Sequence, residues 1–513
     1  MKCFLILFSS FVMLNGSFAA EPRPNILFIY ADDWGWGDLA CHGHPHLKTP
    51  NLDRLAKEGT DFQQFVVCNP VCSPSRTAVV TGRYPARHLV HQHFAGHAEN
   101  VARGMPDWLD PKVTLLPRLM KEAGYATAHY GKWHLSGGGK DIDAPLPSEY
   151  GYDDAAVWTG PGRSVFEGTS VERQAGDAHD KSGASFQTIA AAEHVLRFVR
   201  QANGEKKPFY INFWLHETHH LVAATEEQKA PYPDTAEPRV LALLDELKLA
   251  ENTIVIFSSD NGPENSQPRP TDKLYHSVGT TGGLRGRKRS LYMGGVNVPF
   301  IVRWPDHVPA GRVDKTSVIA GVDMLPTLLA ATGVATPAGY QSDGLNVLAA
   351  FKGEPFTRPQ PLFWEWRGPN SQEADWPQLA MRQGFHTLVM NYDGSRTELY
   401  DLGKDRAQEN DLSTADPERV ATMTAALRGW QKTLPVPTPP ASVAARKKPA
   451  AVPAKPAPNR AVAFKRWDKN ADGILTLEEY TDGLSKNENA AQRFKNFDKN
   501  QDGQLSREEF VGP

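Results

Sequence analysis

The chain has little cysteine, no surplus of either charge and, beyond its first residues, no long apolar run. Each shortage closes off a class of protein. Of four cysteines in 513 residues, Cys3 sits in an expected leader, which leaves Cys41, Cys68 and Cys72, too few for a fold held together by disulfides. Cys41 and Cys68 can pair or stay free. Stability has to come from a packed core, which 40% hydrophobic residues can supply. The 56 basic and 59 acidic side chains leave a formal charge of -3, so no overall field draws nucleic acid or a membrane surface. No later window approaches the roughly 20 apolar residues that a membrane-spanning helix needs.

What is present begins with an export signal. Lys2, an apolar stretch from Phe4 to Leu14 and small residues around Ser17-Phe18-Ala19 read as a signal peptide over 1–20, directing the chain to the periplasm or the extracellular space. Cys3 precedes the apolar stretch, so it does not read as a lipid anchor. Over 21–339, short apolar runs alternate with helical patterns, and this predicts an α/β mixed sheet layered by helices. Expected strands are Asn25–Tyr30, Phe209–Leu215, Thr253–Ser258 and Phe300–Val302, and a helix is expected over Pro50–Lys57 with Thr49 as its cap. Residues 340–432 read as a smaller α+β subdomain with strands at Leu362–Trp366 and His386–Met390 and a helix at Pro417–Gln431. The Pro/Ala-rich stretch 433–459 reads as an exposed linker.

Residues 460–513 contain an internal repeat. Asp468-Lys469-Asn470-Ala471-Asp472-Gly473 recurs thirty residues later as Asp498-Lys499-Asn500-Gln501-Asp502-Gly503. Oxygen donors fall at loop positions one, three, five, seven, nine and twelve: Asp468, Asn470, Asp472, Ile474 (carbonyl), Thr476 and Glu479, then Asp498, Asn500, Asp502, Gln504 (carbonyl), Ser506 and Glu509. Short oxygen side chains at alternate positions wrap a hard cation, glycine at position six permits the turn, and the last glutamate can bind through both oxygens. The two loops resemble an α-helical EF-hand pair, which implies up to two calcium ions.

The run Cys72-Ser73-Pro74-Ser75-Arg76 follows the apolar Phe65-Val66-Val67. It predicts a short helix with Pro74 in its first turn and Gly82 as its stop. A cysteine at such a start meets unpaired amides and the positive end of the helix dipole, which favour an anionic group held against it. It reads as a cysteine destined for modification. Asp32 and Asp33 follow the first strand and Asp260-Asn261 follow the strand from Thr253. In an open α/β sheet ligands gather at the carboxyl ends of strands, so three carboxylates and an amide oxygen there suit a hard divalent cation.

Ala31-Asp32-Asp33, Cys72-Ser73-Pro74-Ser75-Arg76 with Thr81-Gly82-Arg83, Gly131-Lys132-Trp133-His134, Ser259-Asp260-Asn261-Gly262 and Gly283-Leu284-Arg285-Gly286-Arg287-Lys288 follow one another in order. With them, the chain from Arg23 to Gln431 resembles the type I sulfatases of the alkaline phosphatase superfamily, and around Lys288 it is similar to N-acetylgalactosamine-6-sulfatase-like members. The resemblance implies a sulfatase catalytic domain over 21–339 and a sulfatase C-terminal subdomain over 340–432. It further implies that a formylglycine-generating or sulfatase-maturating enzyme oxidises Cys72 to formylglycine, whose hydrated aldehyde attacks sulfur and later releases sulfate. Asp32, Asp33, Asp260, Asn261 and the modified Cys72 would hold one catalytic calcium, and Arg76 would stabilise the hydrated aldehyde. Lys132 and Lys288 would clamp sulfate oxygens, His134 would serve the second hydroxyl, and His219 would assist the leaving oxygen. The expected substrate is a sulfated carbohydrate or an aryl sulfate.

Two departures from the family pattern stand out. Where the family has Pro-His after an apolar strand, this chain has His216-Glu217-Thr218-His219-His220, which leaves three histidines in play and also matches the zinc protease pattern His-Glu-x-x-His. Met293 and Asn297 replace a glutamate and an arginine of the family. Two further histidine groups, at 42, 44, 46 and at 88, 91, 93, 97, read as loop or substrate-side residues. The competing functions are a phosphate or phosphonate ester hydrolase of the same superfamily and an inactive, calcium-dependent binding protein.

Overall fold

The computed structural model describes residues 22–137, 142–170, 182–219, 237–265, 278–367, 376–436, 460–483, 490–500 and 502–511. The expected signal peptide and most of the expected linker lie outside these residues. The chain divides into two compact units, Met1–Pro439 and Pro440–Pro513.

Among the described residues the first nine strands of the first unit are, in chain order, β1 (Asn25–Ala31), β2 (Thr60–Phe62), β3 (Phe65–Val66), β4 (Ala126–Lys132), β5 (Asp154–Trp158), β6 (Phe209–Trp214), β7 (Thr253–Ser259), β8 (Phe300–Arg303) and β9 (Arg312–Asp314). All but β3 form one mixed sheet in the order β5-β4-β6-β1-β7-β8-β2-β9. The five strands from β5 to β7 run parallel, and β8 runs antiparallel to both β7 and β2. Central strands of such a sheet are covered on both faces, which explains why β1 is apolar at nearly every position rather than at alternate ones. Ile26, Phe28 and Tyr30 enter one core cluster, and Leu27, Ile29 and Ala31 enter another.

Helix α1 (Pro50–Glu58) forms where its pattern predicts, but Thr49 does not cap it through its side chain. The Thr49 hydroxyl instead donates to Asp53 Oδ1 and accepts from the Ala40 amide, both at 2.9 Å. Helix α2 (Cys72–Thr81) starts on Cys72 and is buried along its whole length. Gly82 ends it with φ 64°, in the left-handed region that glycine adopts cheaply, and returns its N–H to the Ala78 carbonyl at 2.8 Å.

Strand β10 (Ile319–Ala320) pairs with β3. The strands β11 (Leu362–Glu365), β12 (Leu379–Gln383), β13 (His386–Met390) and β14 (Glu398–Asp401) then form an antiparallel meander. The helix Pro417–Gln431 packs Trp430 flat on Phe363, with ring centroids 5.1 Å apart. In the second unit β15 (Ile474–Thr476) and β16 (Gln504–Ser506) pair through Leu475 and Leu505, over a core of Phe464, Tyr480, Phe494 and Phe510.

Candidate active site

Register brings the chemistry together. Tyr30 of β1 lies beside Trp214 of β6, Ala31 lies beside Ser259 of β7, and Gly131 of β4 lies beside Trp214. All four strands run the same way, so Asp32-Asp33, Lys132, His216 and Asp260-Asn261 leave neighbouring strand ends on one edge. The loop from β3 brings Cys72 and Arg76 to that edge.

Cys72 is buried, with Sγ 3.4 Å from Lys132 Nζ and 3.6 Å from Asp32 Oδ1. Burial pushes its thiol up to about 12, Lys132 opposes the rise, and Asp32 and Asp260 add to it. A thiol so placed stays protonated at neutral pH and is a poor nucleophile as it stands. Around it three buried carboxylates alternate with three buried cations. Lys132 Nζ bonds Asp32 Oδ2. Lys288 Nζ lies 2.6 Å from each Asp33 oxygen. Arg76 donates to Asp260 Oδ2 through Nε at 3.0 Å and Nη2 at 2.6 Å. Its guanidinium is fully buried, 5.0 Å from the Trp214 ring and 5.6 Å from that of Tyr30.

A hard cation fits this edge. Oxygens of Asp32 and Asp33, Cys72 Sγ and a His219 nitrogen all lie within 4.8 Å of one another. Asn261 donates its Nδ2 to Asp33 Oδ1 at 2.7 Å, while its buried Oδ1 has no hydrogen-bond partner among the described residues. Burial raises Asp33 and Asp260, the latter to about 7, and the charge of Asp32 pushes both further. Burial also works against charge on Asp32, yet Lys132, His219, His216 and Arg76 hold it well below the usual carboxylate range. Arg76, Lys132 and Lys288 balance these three carboxylates, and the crowded oxygens together with Asn261 Oδ1 are the hard donors that a divalent cation would take. Asp33 itself holds φ at 58°, and His134, Thr218 and Arg289 share the left-handed region. Strain of this kind gathers at functional sites, where the surroundings hold it in place.

The histidines sort themselves by contact. His216 Nδ1 lies 3.1 Å from Asp32 Oδ2 and its ring stacks on His219 with centroids 5.0 Å apart. His219 Nε2 lies 3.8 Å from Asp33 Oδ2, and its side chain is 27% exposed. Burial and the charges of Lys132 and Lys288 push His219 well below its ordinary value. His220 lies outside the described residues. His216 to His219 form a turn after β6, not a helix, and Glu217 points away to the amide and hydroxyl of Thr188. A zinc protease motif needs its histidines one turn apart on a helix with the glutamate facing the metal, so the structure overturns that pattern. His134 makes its contacts elsewhere: its Nε2 lies 3.1 Å from the Phe94 carbonyl oxygen, and its ring is 6.1 Å from that of His93.

The other histidine groups disperse. His42 stacks on Trp36 and meets Asp61, His91 lies against Glu365, and His97 lies against Asp107. Cys41 and Cys68 are both free. Asn297, at the place of a family arginine, donates to the Phe65 carbonyl at 2.5 Å and accepts from Arg406 at 3.0 Å, so a neutral side chain satisfies the position.

Residues 24–334 match the family model described as Sulfatase, more than half of the chain. The chain belongs to the sulfatase family. As a type I sulfatase of the alkaline phosphatase superfamily it is a sulfuric ester hydrolase. Residues 286–431 match the model described as N-sulphoglucosamine sulphohydrolase, C-terminal, and residues 491–511 match the EF hand model. The chain is 30% identical to the N-acetylgalactosamine-6-sulfatase of Canis lupus familiaris over 483 residues, covering 84% of this chain and 90% of that protein. It is 31% identical to the steryl-sulfatase of Mus musculus over 418 residues, covering 65% and 66%. Among solved structures, Ps i-CgsB in complex with k-i-k-neocarrahexaose shares the fold at a TM-score of 0.68 and 24% identity, covering 81% of this chain and 94% of that one. The PsFucS1 sulfatase from Pseudoalteromonas sp. shares it at 0.61 and 24%, covering 80% and 90%.

Two residues beside this site, Arg289 and Glu264, escape sequence reasoning, whereas His93 belongs to the second histidine group already read as loop or substrate-side. Arg289 donates to Glu264 through Nη1 at 2.8 Å and Nη2 at 2.7 Å, Glu264 Oε2 lies 3.7 Å from Lys288 Nζ, and His93 lies beside His134. Only the adjacency of Arg289 to Lys288 and of Glu264 to Asp260-Asn261 signals these two. Burial works to raise the Glu264 carboxyl, but the Arg289 hydrogen bonds and the Lys288 charge outweigh it and bring the group down to about 2. A depressed carboxyl stabilises the fold above its unfolded value of roughly 4.3, and that stability fades as pH falls toward 2. Glu264→Gln is therefore expected to cost about 2 kcal/mol at pH 6 and clearly less at pH 3, read from urea midpoints at the two values. An equal cost at both values would mean that the pair is not what holds Glu264.

In the second unit the described residues of both candidate calcium loops are tied together by their own side chains. Asp468 accepts from Gly473 N at 2.9 Å and Asp498 accepts from Gly503 N at 3.0 Å, with both glycines at positive φ. Glu479 and Glu509 accept from the hydroxyls of Thr476 and Ser506 at 2.9 and 2.8 Å.

Proposed function

We propose that this protein is an exported sulfatase that hydrolyses sulfate esters of carbohydrates at a formylglycine made from Cys72. The observation that carries the reading is the position of Cys72 Sγ, between the Lys132 ammonium at 3.4 Å and the Asp32 carboxylate at 3.6 Å, at the amino end of a buried helix. Oxidised by a maturation enzyme and hydrated, Cys72 supplies the oxygen that attacks sulfur and the second hydroxyl that frees sulfate. Asp32, Asp33, Asp260, Asn261 and the modified Cys72 would hold a calcium ion, whose charge would help neutralise sulfate oxygens beside the nucleophile.

The rest falls to the chain itself. Lys132 and Lys288 are buried and remain charged, so each stabilises charge growing on sulfate oxygens without the cost of reorienting water. Arg76, pinned by Asp260, orients the hydrated residue. His134 accepts the proton of the second hydroxyl. His219, which retains solvent access, donates its N–H to the leaving oxygen, and His216 orients Asp32. The loops Asp468–Glu479 and Asp498–Glu509 would hold up to two further calcium ions. The domains are a catalytic domain over 21–339, a C-terminal subdomain over 340–432, a linker over 433–459 and the EF-hand pair over 460–513. Among the described residues no helix is long and apolar enough to cross a membrane.

The name of the N-acetylgalactosamine-6-sulfatase relative supports a sulfated sugar as substrate. Mass spectrometry of the peptide around Cys72 tests the nucleophile: an aldehyde that reacts with hydrazide is expected, and an intact thiol in an active protein would sink the proposal. Turnover of matched sulfate and phosphate esters tests the ester class, with sulfate expected to react faster.

A further inference from the structure

Lys288 and Arg289 are adjacent in the chain but lie at different depths. The Lys288 side chain is 5% exposed and reaches Asp33, whereas the Arg289 side chain is 37% exposed. Arg289 holds φ at 73°, a conformation that costs a non-glycine residue on the order of 1 kcal/mol or more. Its amide donates to the Pro70 carbonyl at 3.0 Å, two residues before Cys72. The backbone is thus strained where it ties Arg289 to the loop that carries the nucleophile.

Glu264 fixes the side chain. Its two oxygens accept one hydrogen bond each from the two terminal nitrogens of Arg289, and Oε2 lies 3.7 Å from Lys288 Nζ. One buried carboxylate therefore sets the spacing between the deep cation and the shallow one. A guanidinium has five N–H donors in a fixed plane, and the pair with Glu264 uses two of them. Arg289 makes no other side-chain hydrogen bond among the described residues. His93 reports on the same wall: burial and the charges of Arg103, Lys288, Arg289 and Lys132 bring it to about 3. It is neutral there and leaves the wall without a further positive charge of its own.

One sulfate ester carries a single negative charge, and Lys132 and Lys288 are the cations placed to face it beside Cys72. Arg289 stands outside that pair: Glu264 orients it and takes two of its five N–H donors, and its side chain is partly open to solvent. We propose that Arg289, oriented by Glu264 at the mouth of the site, recognises a second anionic oxygen group, a carboxylate or a sulfate, on the carbohydrate whose ester lies at Cys72. This inference rests on the sulfatase reading and narrows its substrates to polyanionic saccharides. Arg289 selects among substrates and takes no part in the bond-breaking step.

The test compares three esters: a 4-nitrophenyl sulfate, a disaccharide bearing one sulfate and one uronate, and the same disaccharide with its carboxyl reduced. Arg289→Gln is expected to lower kcat/KM for the uronate disaccharide about tenfold more than for the other two. Arg289→Lys is expected to recover part of the loss. A disulfated disaccharide in place of the uronate one distinguishes sulfate from carboxylate as the second group. Calorimetry of the intact disaccharides on Cys72→Ala protein reads the same contact without turnover. About tenfold weaker binding with Arg289→Gln supports the proposal. Equal loss on all esters, equal affinity, or no binding to either protein overturns it. Failure of wild-type protein to hydrolyse any of the sulfates would instead strike at the sulfatase reading, which the binding arm does not depend on.

Discussion

Cys72→Ala is expected to lower kcat on any sulfate ester by on the order of 10^4-fold or more, because removing a nucleophile that acts as one unit with its partners costs nearly all of the chemical step. The substitution removes one sulfur atom from a buried site, so the fold should lose only about 1 kcal/mol. Activity and urea midpoint measured on the same preparation separate the two effects. The thiol of Cys72 is pushed up to about 12 by burial, against the pull of Lys132. Unconverted protein should therefore also be inactive, and activity should scale with the aldehyde fraction seen by mass spectrometry. Substantial turnover by Cys72→Ala would remove Cys72 from the mechanism.

Arg76→Met should have the largest effect on stability. Arg76 and Asp260 are fully buried and joined by hydrogen bonds of 3.0 and 2.6 Å, with Asp32 Oδ1 3.9 Å away. Removing the guanidinium strands Asp260, buried beside the carboxylates of Asp32 and Asp33, without its hydrogen-bonded cation, and breaking a buried pair in this way costs roughly 3–5 kcal/mol. Burial raises Asp260 to about 7 with Arg76 in place and no cation bound, so in calcium-free protein lacking Arg76 this carboxyl should take up a proton near neutral pH. The loss should therefore be smaller at pH 6 than at pH 8. The double variant Arg76→Met with Asp260→Asn, which removes both charges, should recover about half of the loss or more without restoring activity. If the double variant is as unstable as the sum of the single ones, the pair is not coupled.

Local features were legible in the residues because their physics is local. The calcium loops repeat their donors within twelve positions, so spacing alone implies a cradle, and Gly473 and Gly503 stand where positive φ is needed. Gly82 stops α2 for the same kind of reason. Thr49 misled because its hydroxyl had a competing partner in Asp53. The ordered motifs from Asp32 to Lys288 carried the family, and they also pointed to the strand ends on which the site is built.

The amino-acid sequence by itself determined the chemical inventory: the α/β class, the carboxylates and amide for a hard cation, the cysteine at a helix start, and two lysines and a set of histidines. Tertiary structure alone decided who meets whom. The parallel register of β4, β6, β1 and β7 sets Lys132 against Asp32 and turns His216 and His219, rather than the histidine groups at 42–46 and 88–97, toward the carboxylates. Glu264 could be matched to Arg289 only once the sheet had folded. Hydrogen bonds and ion pairs act over a few ångströms, and Asp33 and Lys288, which they join here, stand 255 positions apart in the chain.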